Sequence, residues 1–196
     1  MLNYGEELAY WYLRLNGFFI ISNFVLHTEN KTMRGDADLL AIRLPRTVEY
    51  IGRKEVSFDD EGLFNYIDKN KIVGIIAEVK AGFTNSSNKL NIFTDKNKLK
   101  KALHRLGMYK EGDEEDIWYK KERNGYQVLK VLFKNVNNSI DIENDEYLVI
   151  PLHYAEKFIK SRLKENDIEK LGSWVFFPSN LFQLLIWQIK FDSNSI

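Results

Sequence analysis

The first sixteen residues carry apolar side chains at intervals of three and four positions, which is the spacing of one face of an α-helix. The positions concerned are Leu8, Trp11, Tyr12 and Leu15. We predict an amphipathic helix from about Tyr4 to Asn16 that ends at Gly17, because glycine is common just past the end of a helix.

Three later segments have the composition of strands. Residues 18–27 (FFIISNFVLH) and 36–43 (DADLLAIR) are rich in β-branched, aromatic and aliphatic residues. Residues 71–82 (KIVGIIAEVKAG) are apolar at nearly every position from Ile72 to Ala77, as expected of a central strand covered on both faces. The intervening stretch, 44–71, could hold a strand (RTVEYIG) and a turn with a short helix (DDEGLFNYIDKN), and we treat it as an insertion.

The rest of the chain continues this mixture of helices and strands. Residues 95–109 predict a helix capped by Asp95 or Thr94, preceded by a loop. The further expected elements are strands at 125–135 and 145–152 and helices at 153–166 and 179–191. This order predicts an α/β domain, in which helices pack on the faces of a mixed sheet.

The composition is that of an ordinary globular protein, with 44% hydrophobic and 29% charged residues among 196. This length suffices for one domain with its own core. The chain has no cysteine, and its first residues, MLNYGEELAY, lack the segments of a signal peptide, so we expect an intracellular, cytoplasmic protein. No apolar run approaches the roughly 18 residues of a membrane-spanning helix, which argues against a membrane role.

Positive charge is concentrated in one stretch, although 28 basic and 28 acidic residues cancel over the whole chain. Between Lys89 and Lys110, seven lysines and arginines stand against a single acid, Asp95, and the acidic run EGDEED follows. Such a block is usually a solvated helix face, so charge alone does not indicate nucleic-acid binding.

Charged residues mark the ends of two predicted strands. Because side chains alternate faces along a strand, we expect Asp36 and Asp38 to share one face, and Glu78 and Lys80 to share one face. Burying such charges without partners is costly. Either Lys80 simply pairs with a nearby acid, or Asp38 and Glu78 converge on a hard divalent cation such as Mg²⁺. In the second case Lys80 lies where its charge favours an attacking hydroxide and steadies a phosphate.

These residues resemble the motifs of the PD-(D/E)XK nuclease superfamily, in which an acid precedes E-x-K on the following core strand. GEELAYWYLRLNGFFIISNFV, GDADLLAI and AEVKAG are similar to the N-terminal half of archaeal Holliday-junction resolvases and their bacterial relatives. The resemblance implies a restriction-endonuclease-like fold with an α-β-β-β-α-β core. It also implies a Mg²⁺ or Mn²⁺ site at Asp38 and Glu78, with Glu6 positioning metal or water, Lys80 assisting the attack and Asp36 as a second-rank acid.

The resemblance extends as an order of elements over about residues 4–134 and departs from the family pattern in three places. The separation of 40 residues between the aspartate and the glutamate implies an insertion at about 44–71, and Ala37 replaces a proline. The helix after the lysine lacks the glutamine of many relatives but has basic residues that would contact phosphate. They are Lys98, Lys101, His104 and Arg105. Residues 141–196 lie outside this resemblance and form a C-terminal extension of one expected nuclease-like domain.

Three functions fit these observations. The first expectation is a metal-dependent endonuclease that hydrolyses DNA phosphodiester bonds in repair or defence, with a homodimer as one way to act on two strands. The alternative is a catalytically silent nuclease-like domain that binds nucleic acid or a partner protein. A structural role with merely paired charges is the third. Trp118 and Tyr119 could stack on a base if exposed, although aromatic residues usually fill cores.

Overall fold

The structure is a computed structural model that describes residues 3–26, 35–51, 54–56, 59–82, 91–111, 120–123, 125–164 and 179–193. Within these ranges it contains a seven-stranded mixed sheet with helices on its faces. This confirms the predicted α/β class and is consistent with a restriction-endonuclease-like fold. The helices are α1 (Tyr4–Leu15), α2 (Glu61–Phe64), α3 (Asn91–Thr94), α4 (Lys96–Arg105), α5 (Leu152–Lys164) and α6 (Asn180–Ser193). The strands are β1 (Phe19–Leu26), β2 (Gly35–Arg43), β3 (Glu49–Ile51), β4 (Lys54–Val56), β5 (Ile72–Lys80), β6 (Lys120–Arg123), β7 (Tyr126–Lys134), β8 (Asp141–Glu143) and β9 (Tyr147–Pro151).

Four short elements go beyond the prediction. Helix α3 lies in a stretch expected to be a loop, and β4, β6 and β8 lie in stretches assigned to no element. Each has three or four residues. Strands β6 and β8 pair with longer neighbours, β7 and β9, and β4 pairs with β3. Segments of this length carry little periodic signal, so tertiary pairing defines them.

The sheet has the strand order β1-β2-β5-β7-β9-β8. Strand β6 pairs with the first half of β7, and β9 pairs with its second half. Strands β5, β7 and β9 are parallel, while the other strands of this sheet run antiparallel to their neighbours. The carboxyl ends of the three parallel strands therefore lie together at one end of the sheet, and open α/β sheets commonly bind ligands at this end of their strands.

Two hydrophobic cores cover the two faces of the sheet. On the α1 face, which α1, α5 and α6 cover, Leu39 and Ile75 are completely buried. On the α4 face, which α3 and α4 cover, Leu40 and Ile76 are buried. Successive residues of one strand thus serve opposite cores, as the period of two predicts.

The N-terminus of α1 is fixed beside the end of β5. Asn3 caps the helix through its side chain, which accepts a hydrogen bond from the backbone N–H of Glu6, and the Glu6 carboxylate accepts one from the Asn3 backbone. Gly5 is so close to β5 that a Cβ there would lie 2.6 Å from the Cβ of Ala81 and 3.1 Å from Cγ1 of Val79. Any larger residue at this position would therefore push α1 and Glu6 away from the sheet.

The predicted insertion contains the β3–β4 hairpin and α2, in agreement with the strand and short helix expected there. Asp60 caps α2 and accepts hydrogen bonds from the hydroxyl groups of Tyr12 and Tyr154. The buried Arg43 donates to Asp59 at 3.1 Å. These bonds attach the insertion to α1, α5 and β2 at the edge of the sheet where β5 begins.

The described part of the C-terminal extension includes α5 and α6, which pack on the α1 face. Ser179, just before α6, donates from Oγ to Oε1 of Glu7 at 2.5 Å and accepts from Nε1 of Trp11 at 3.0 Å. Helix α6 is therefore bonded to α1. None of the helices in the described ranges is long and apolar enough to cross a membrane. The assignment of the whole chain to one nuclease-like domain stays a prediction.

Candidate active site

Asp38 and Glu78 lie opposite each other where β2 and β5 part. The last paired residues of the two strands are Leu39 and Ala77, so Asp38 and Glu78 are the next positions along them. Oδ2 of Asp38 accepts a hydrogen bond from the backbone N–H of Val79 at 2.7 Å. A side-chain oxygen thereby continues the contact between the strands beyond the last backbone pair.

The backbone around Asp38 departs from regular alternation. Strand β1 pairs with β2 along its length except at one position, where Asn23 faces Asp38. Asn23 has a φ of 52°, in the left-handed region that asparagine tolerates better than most residues. Ala37 and Leu40 both join the core of the α4 face, although a regular strand would place residues three positions apart on opposite faces. The kink therefore lets the Asp38 side chain turn towards Val79.

Glu78 is 5% exposed, and both of its carboxylate oxygens have donors within the protein. Oε2 lies 2.8 Å from Nζ of Lys80. Oε1 accepts a hydrogen bond from the backbone N–H of Ile92 in α3 at 3.4 Å. The Lys80 side chain is 39% exposed, so its ammonium group links a buried carboxylate to the surface.

Burial raises the pKa of Asp38 from 3.8 to about 6. The hydrogen bond from Val79 and the positive charge of Lys80 oppose this increase, and the negative charges of Glu78 and Glu6 add to it. Glu78 and Glu6 are therefore close enough to Asp38 for their charges to act on its carboxylate. A bound cation would offset both the burial and the repulsion.

Glu6 contributes to this electrostatic field, but its carboxylate is engaged in the helix cap. Oε1 lies 2.5 Å from Nδ2 of Asn3, and Oε2 lies 3.2 Å from the backbone nitrogen of Asn3. Across the part of the chain that the structure describes, no group of three or more histidines, aspartates and glutamates is arranged to hold a metal ion. A role for Glu6 towards a metal therefore stays a prediction.

The two carboxylates of Asp38 and Glu78 nevertheless fit a magnesium or manganese ion. Mg²⁺ commonly takes one or two protein carboxylates and completes its octahedron with water and substrate phosphate. Asp36 lies in β2 with its backbone opposite Val25, while its side chain is outside the described part of the structure. Regular alternation is interrupted at Asp38, and the sharing of one face by Asp36 and Asp38 stays a prediction.

The four basic residues predicted to contact phosphate lie on α4, and their exposure differs. Three are exposed: Lys101, His104 and Arg105. Lys98 is only 9% exposed. The Arg105 guanidinium lies 5.4 Å from the ring centroid of Phe24 in β1. Asp95 caps the helix, as predicted.

Two structural features of this site escape sequence reasoning. The kink at Asn23 has a weak signal, because an asparagine inside an apolar strand only hints at a positive φ. The hydrogen bond from Ile92 to Glu78 has no local signal at all, because it depends on how α3 packs against β5. In contrast, Asn3 and Glu6 have the spacing of a capping box, which points to the cap directly from the sequence.

No family model matches the chain, and no solved structure matches it. The chain is similar to a UPF0102 protein from Rhizorhabdus wittichii, with 36% identity over 77 residues. The matched residues are 39% of this chain and 59% of the relative, so the chain spans less than two thirds of that protein. The relative's name states no activity.

Proposed function

We propose that the protein is a metal-dependent nuclease that hydrolyses phosphodiester bonds in DNA. One observation carries this proposal: Asp38 and Glu78 meet at the parted ends of β2 and β5, with Nζ of Lys80 2.8 Å from Glu78. Two carboxylates suit Mg²⁺ or Mn²⁺, and an adjacent ammonium group suits a phosphate. The position at the carboxyl end of β5 is also a common one for ligands in α/β sheets.

Each residue has its own task in this proposal. Mg²⁺ or Mn²⁺, held by Asp38 and Glu78, would polarise the phosphate and activate a water for attack. Lys80 keeps a positive charge at the rim of the site, where it attracts the phosphate and stabilises charge that develops during the reaction. Asp38 must be ionised to bind a cation, so activity should increase as the pH rises through about 6.

Helix α4 would supply the contacts to the DNA backbone. Its ten residues, KNKLKKALHR, contain no acid. Lys101, His104 and Arg105 are exposed on this helix and could reach phosphates, whereas Lys98 is nearly buried. Arg105 lies beside Phe24 of β1. A local concentration of cations lets a chain of zero net charge bind an anionic polymer, since only the charges near the phosphates count.

A cleavage assay tests this proposal. Labelled duplex, branched and single-stranded DNA is incubated with purified protein in Mg²⁺, in Mn²⁺ and in chelator. We expect cleavage that the chelator abolishes and that Asp38→Asn or Glu78→Gln lowers on the order of a hundredfold or more. Glu156→Gln, a surface change on α5, is the control and should leave the rate unchanged. Cleavage in chelator, or full activity in Asp38→Asn, would contradict the mechanism.

A second candidate is a silent nuclease-like domain that only binds nucleic acid or a partner. It is favoured by the engagement of Glu78 with Lys80 and Ile92 and of Glu6 with the helix cap. This candidate predicts salt-dependent DNA binding that persists in the double variant Asp38→Ala, Lys80→Ala, together with no cleavage by the wild type.

The nuclease proposal also includes a homodimer as the assembly that cuts two strands. A dimer would bring two active sites to one DNA molecule, and the interfaces of homodimers are commonly two-fold symmetric. Sedimentation of the protein with and without branched DNA tests this part. A monomer in both conditions that still makes paired cuts would contradict it.

A further inference from the structure

Strand β1 exposes apolar side chains on the α4 face of the sheet. Phe19 is 70% exposed and Ile21 is 40% exposed. They pair with Ile42 and Leu40 of β2, which contribute to the core of the α4 face. Directly opposed residues of antiparallel strands point to the same face, so Phe19 and Ile21 lie on the α4 face beyond the cover of the helices.

The kink at Asn23 extends this surface along the strand. Phe24, which an unbroken alternation would turn to the other face, also packs against the core of the α4 face. The Arg105 guanidinium lies over the Phe24 ring. Apolar side chains of β1 and cations of α4 therefore stand side by side on one face.

The Glu78 carboxylate lies on the same face of the sheet. Glu78 accepts its hydrogen bond from Ile92 of α3, and Ile92 belongs to the core of the α4 face. Asn23, opposite Asp38, is four residues from Phe19, which corresponds to about 13 Å of strand. A single strand with nucleotides stacked ~3.4 Å apart would span that distance with about four nucleotides.

We propose that this surface of β1 and α4 binds single-stranded nucleic acid, with unpaired bases stacked on Phe19 and phosphates held by the α4 cations. An anionic partner would complement the positive charge of α4, and flat apolar groups in the same partner would pack on the exposed ring of Phe19. Single strands combine both, because their bases expose π-faces next to a charged backbone. In a duplex the bases cover one another's faces, so Phe19 would have no partner there.

The relation to cleavage rests on the proposed nuclease function, but the binding does not. If the nuclease acts on unpaired segments such as flaps or junction arms, the surface holds the single strand and leads it about four nucleotides to Asp38 and Glu78. The substrate class of the site is then DNA with an unpaired segment.

Fluorescence anisotropy in the presence of chelator tests the binding without cleavage. The probes are a labelled oligothymidylate of about 12 nucleotides, an abasic oligomer with the same number of phosphates, and the corresponding duplex. We expect the wild type to bind the oligothymidylate about tenfold more tightly than the abasic oligomer. Phe19→Ala should remove this preference and leave abasic binding unchanged, and Phe19→Trp should keep it.

The control is Trp187→Ala, which removes a similarly exposed aromatic side chain, 62% exposed, from α6. It should keep the preference for bases. Equal binding of the normal and abasic oligomers by the wild type would overturn the proposal, as would an equal loss for both in Phe19→Ala. A change in sedimentation caused by Phe19→Ala, with unaltered oligonucleotide binding, would instead identify an interface between copies of the chain and would also overturn it.

The two proposals fail separately in these assays. Base-dependent binding without metal-dependent cleavage would refute the nuclease function and keep the single-strand surface. Metal-dependent cleavage without base-dependent binding would refute the surface and keep the nuclease. Trp118 and Tyr119, which were predicted to stack on a base if exposed, lie outside the described ranges.

Discussion

Two aspartates near opposite ends of strands β2 and β5, Asp60 and Asp38, differ in how fully their carboxylates are hydrogen-bonded. Asp60 is 6% exposed and has three donors. They are the hydroxyl groups of Tyr12 and Tyr154 and the backbone N–H of Gly62. Asp38 receives its hydrogen bond from Val79, and two other carboxylates repel it. Asp60 is thus surrounded by hydrogen-bond donors, whereas Asp38 lies near two other carboxylates.

This difference separates an acid that serves the fold from one that is available to a ligand. Burial, followed by the interaction with Asp60, raises the pKa of Tyr12 and of Tyr154, so both hydroxyl groups remain protonated as donors. Burial raises the pKa of Asp38, which means that its charged form is disfavoured in the folded protein without a cation. Ionisation of Asp38 in the folded protein therefore costs free energy, and binding of a cation beside it would offset that cost.

Asp60→Ala should have the largest effect on stability. It leaves two tyrosine hydroxyl groups without their acceptor and removes the cap of α2, so we expect a loss of about 3 to 4 kcal/mol. Urea unfolding followed by circular dichroism measures this loss. Glu156→Ala, which removes a surface ion pair with Lys160, should cost less than about 0.5 kcal/mol. Equal effects of the two substitutions would remove the distinction between the aspartates.

Asp38→Asn should stabilise the protein above neutral pH in the presence of chelator. The folded pKa of about 6 lies above the unfolded value of 3.8, so the wild type loses stability as the pH rises between these values. The full difference corresponds to roughly 3 kcal/mol, and partial exposure to solvent reduces our expectation to about 1 to 2 kcal/mol.

Thermal unfolding of the two proteins from about pH 4.5 to about pH 7.5 checks this prediction. Asparagine keeps an oxygen that can accept the hydrogen bond from Val79, so the comparison isolates the charge. The advantage of the variant should grow with pH and level off above about pH 7. A variant less stable than the wild type at every pH would show that the Asp38 carboxylate serves the fold.

Asn23 should have a smaller effect on stability and a specific effect on activity. Asn23→Ala should cost about 1 kcal/mol because alanine is strained at positive φ, and Asn23→Gly should cost less. Asn144, with a φ of 54° in the turn between β8 and β9, is the matched control. Asn144→Ala should cause a similar loss of stability with full cleavage activity. Equal activity in Asn23→Ala and Asn144→Ala would show that the kink does not position Asp38.

The sequence predicts well those parts of the site that depend on local pattern. The apolar runs of β2 and β5 and the charged residues at their ends are visible in DADLLAIR and AEVKAG. The helix cap at Asp95 is visible for the same reason, since capping involves only neighbouring residues. Local patterns therefore sufficed for the α/β class and for the strands that carry the acids, whereas the convergence of Asp38 and Glu78 was an expectation from the resemblance.

The remaining geometry depends on contacts between distant residues. The bond from Val79 to Asp38 spans 41 positions, and the bond from Ile92 to Glu78 spans 14. Neither follows from periodicity, because each requires the register of two packed elements. The skipped pair at Asn23 is likewise a property of the β1–β2 register. Regular strand alternation does not extend through Asp38, because the backbone is kinked there.

The most direct test of the central claim is calorimetric titration of Mn²⁺ into the wild type and into Asp38→Asn, both with a short phosphorothioate oligonucleotide that resists cleavage. We predict saturable binding by the wild type, stronger at about pH 7.5 than at about pH 5.5 because Asp38 must ionise, and its loss in the variant. Binding that is the same in both proteins, or no binding by the wild type with the oligonucleotide present, would contradict the assignment of Asp38 and Glu78 as a metal site.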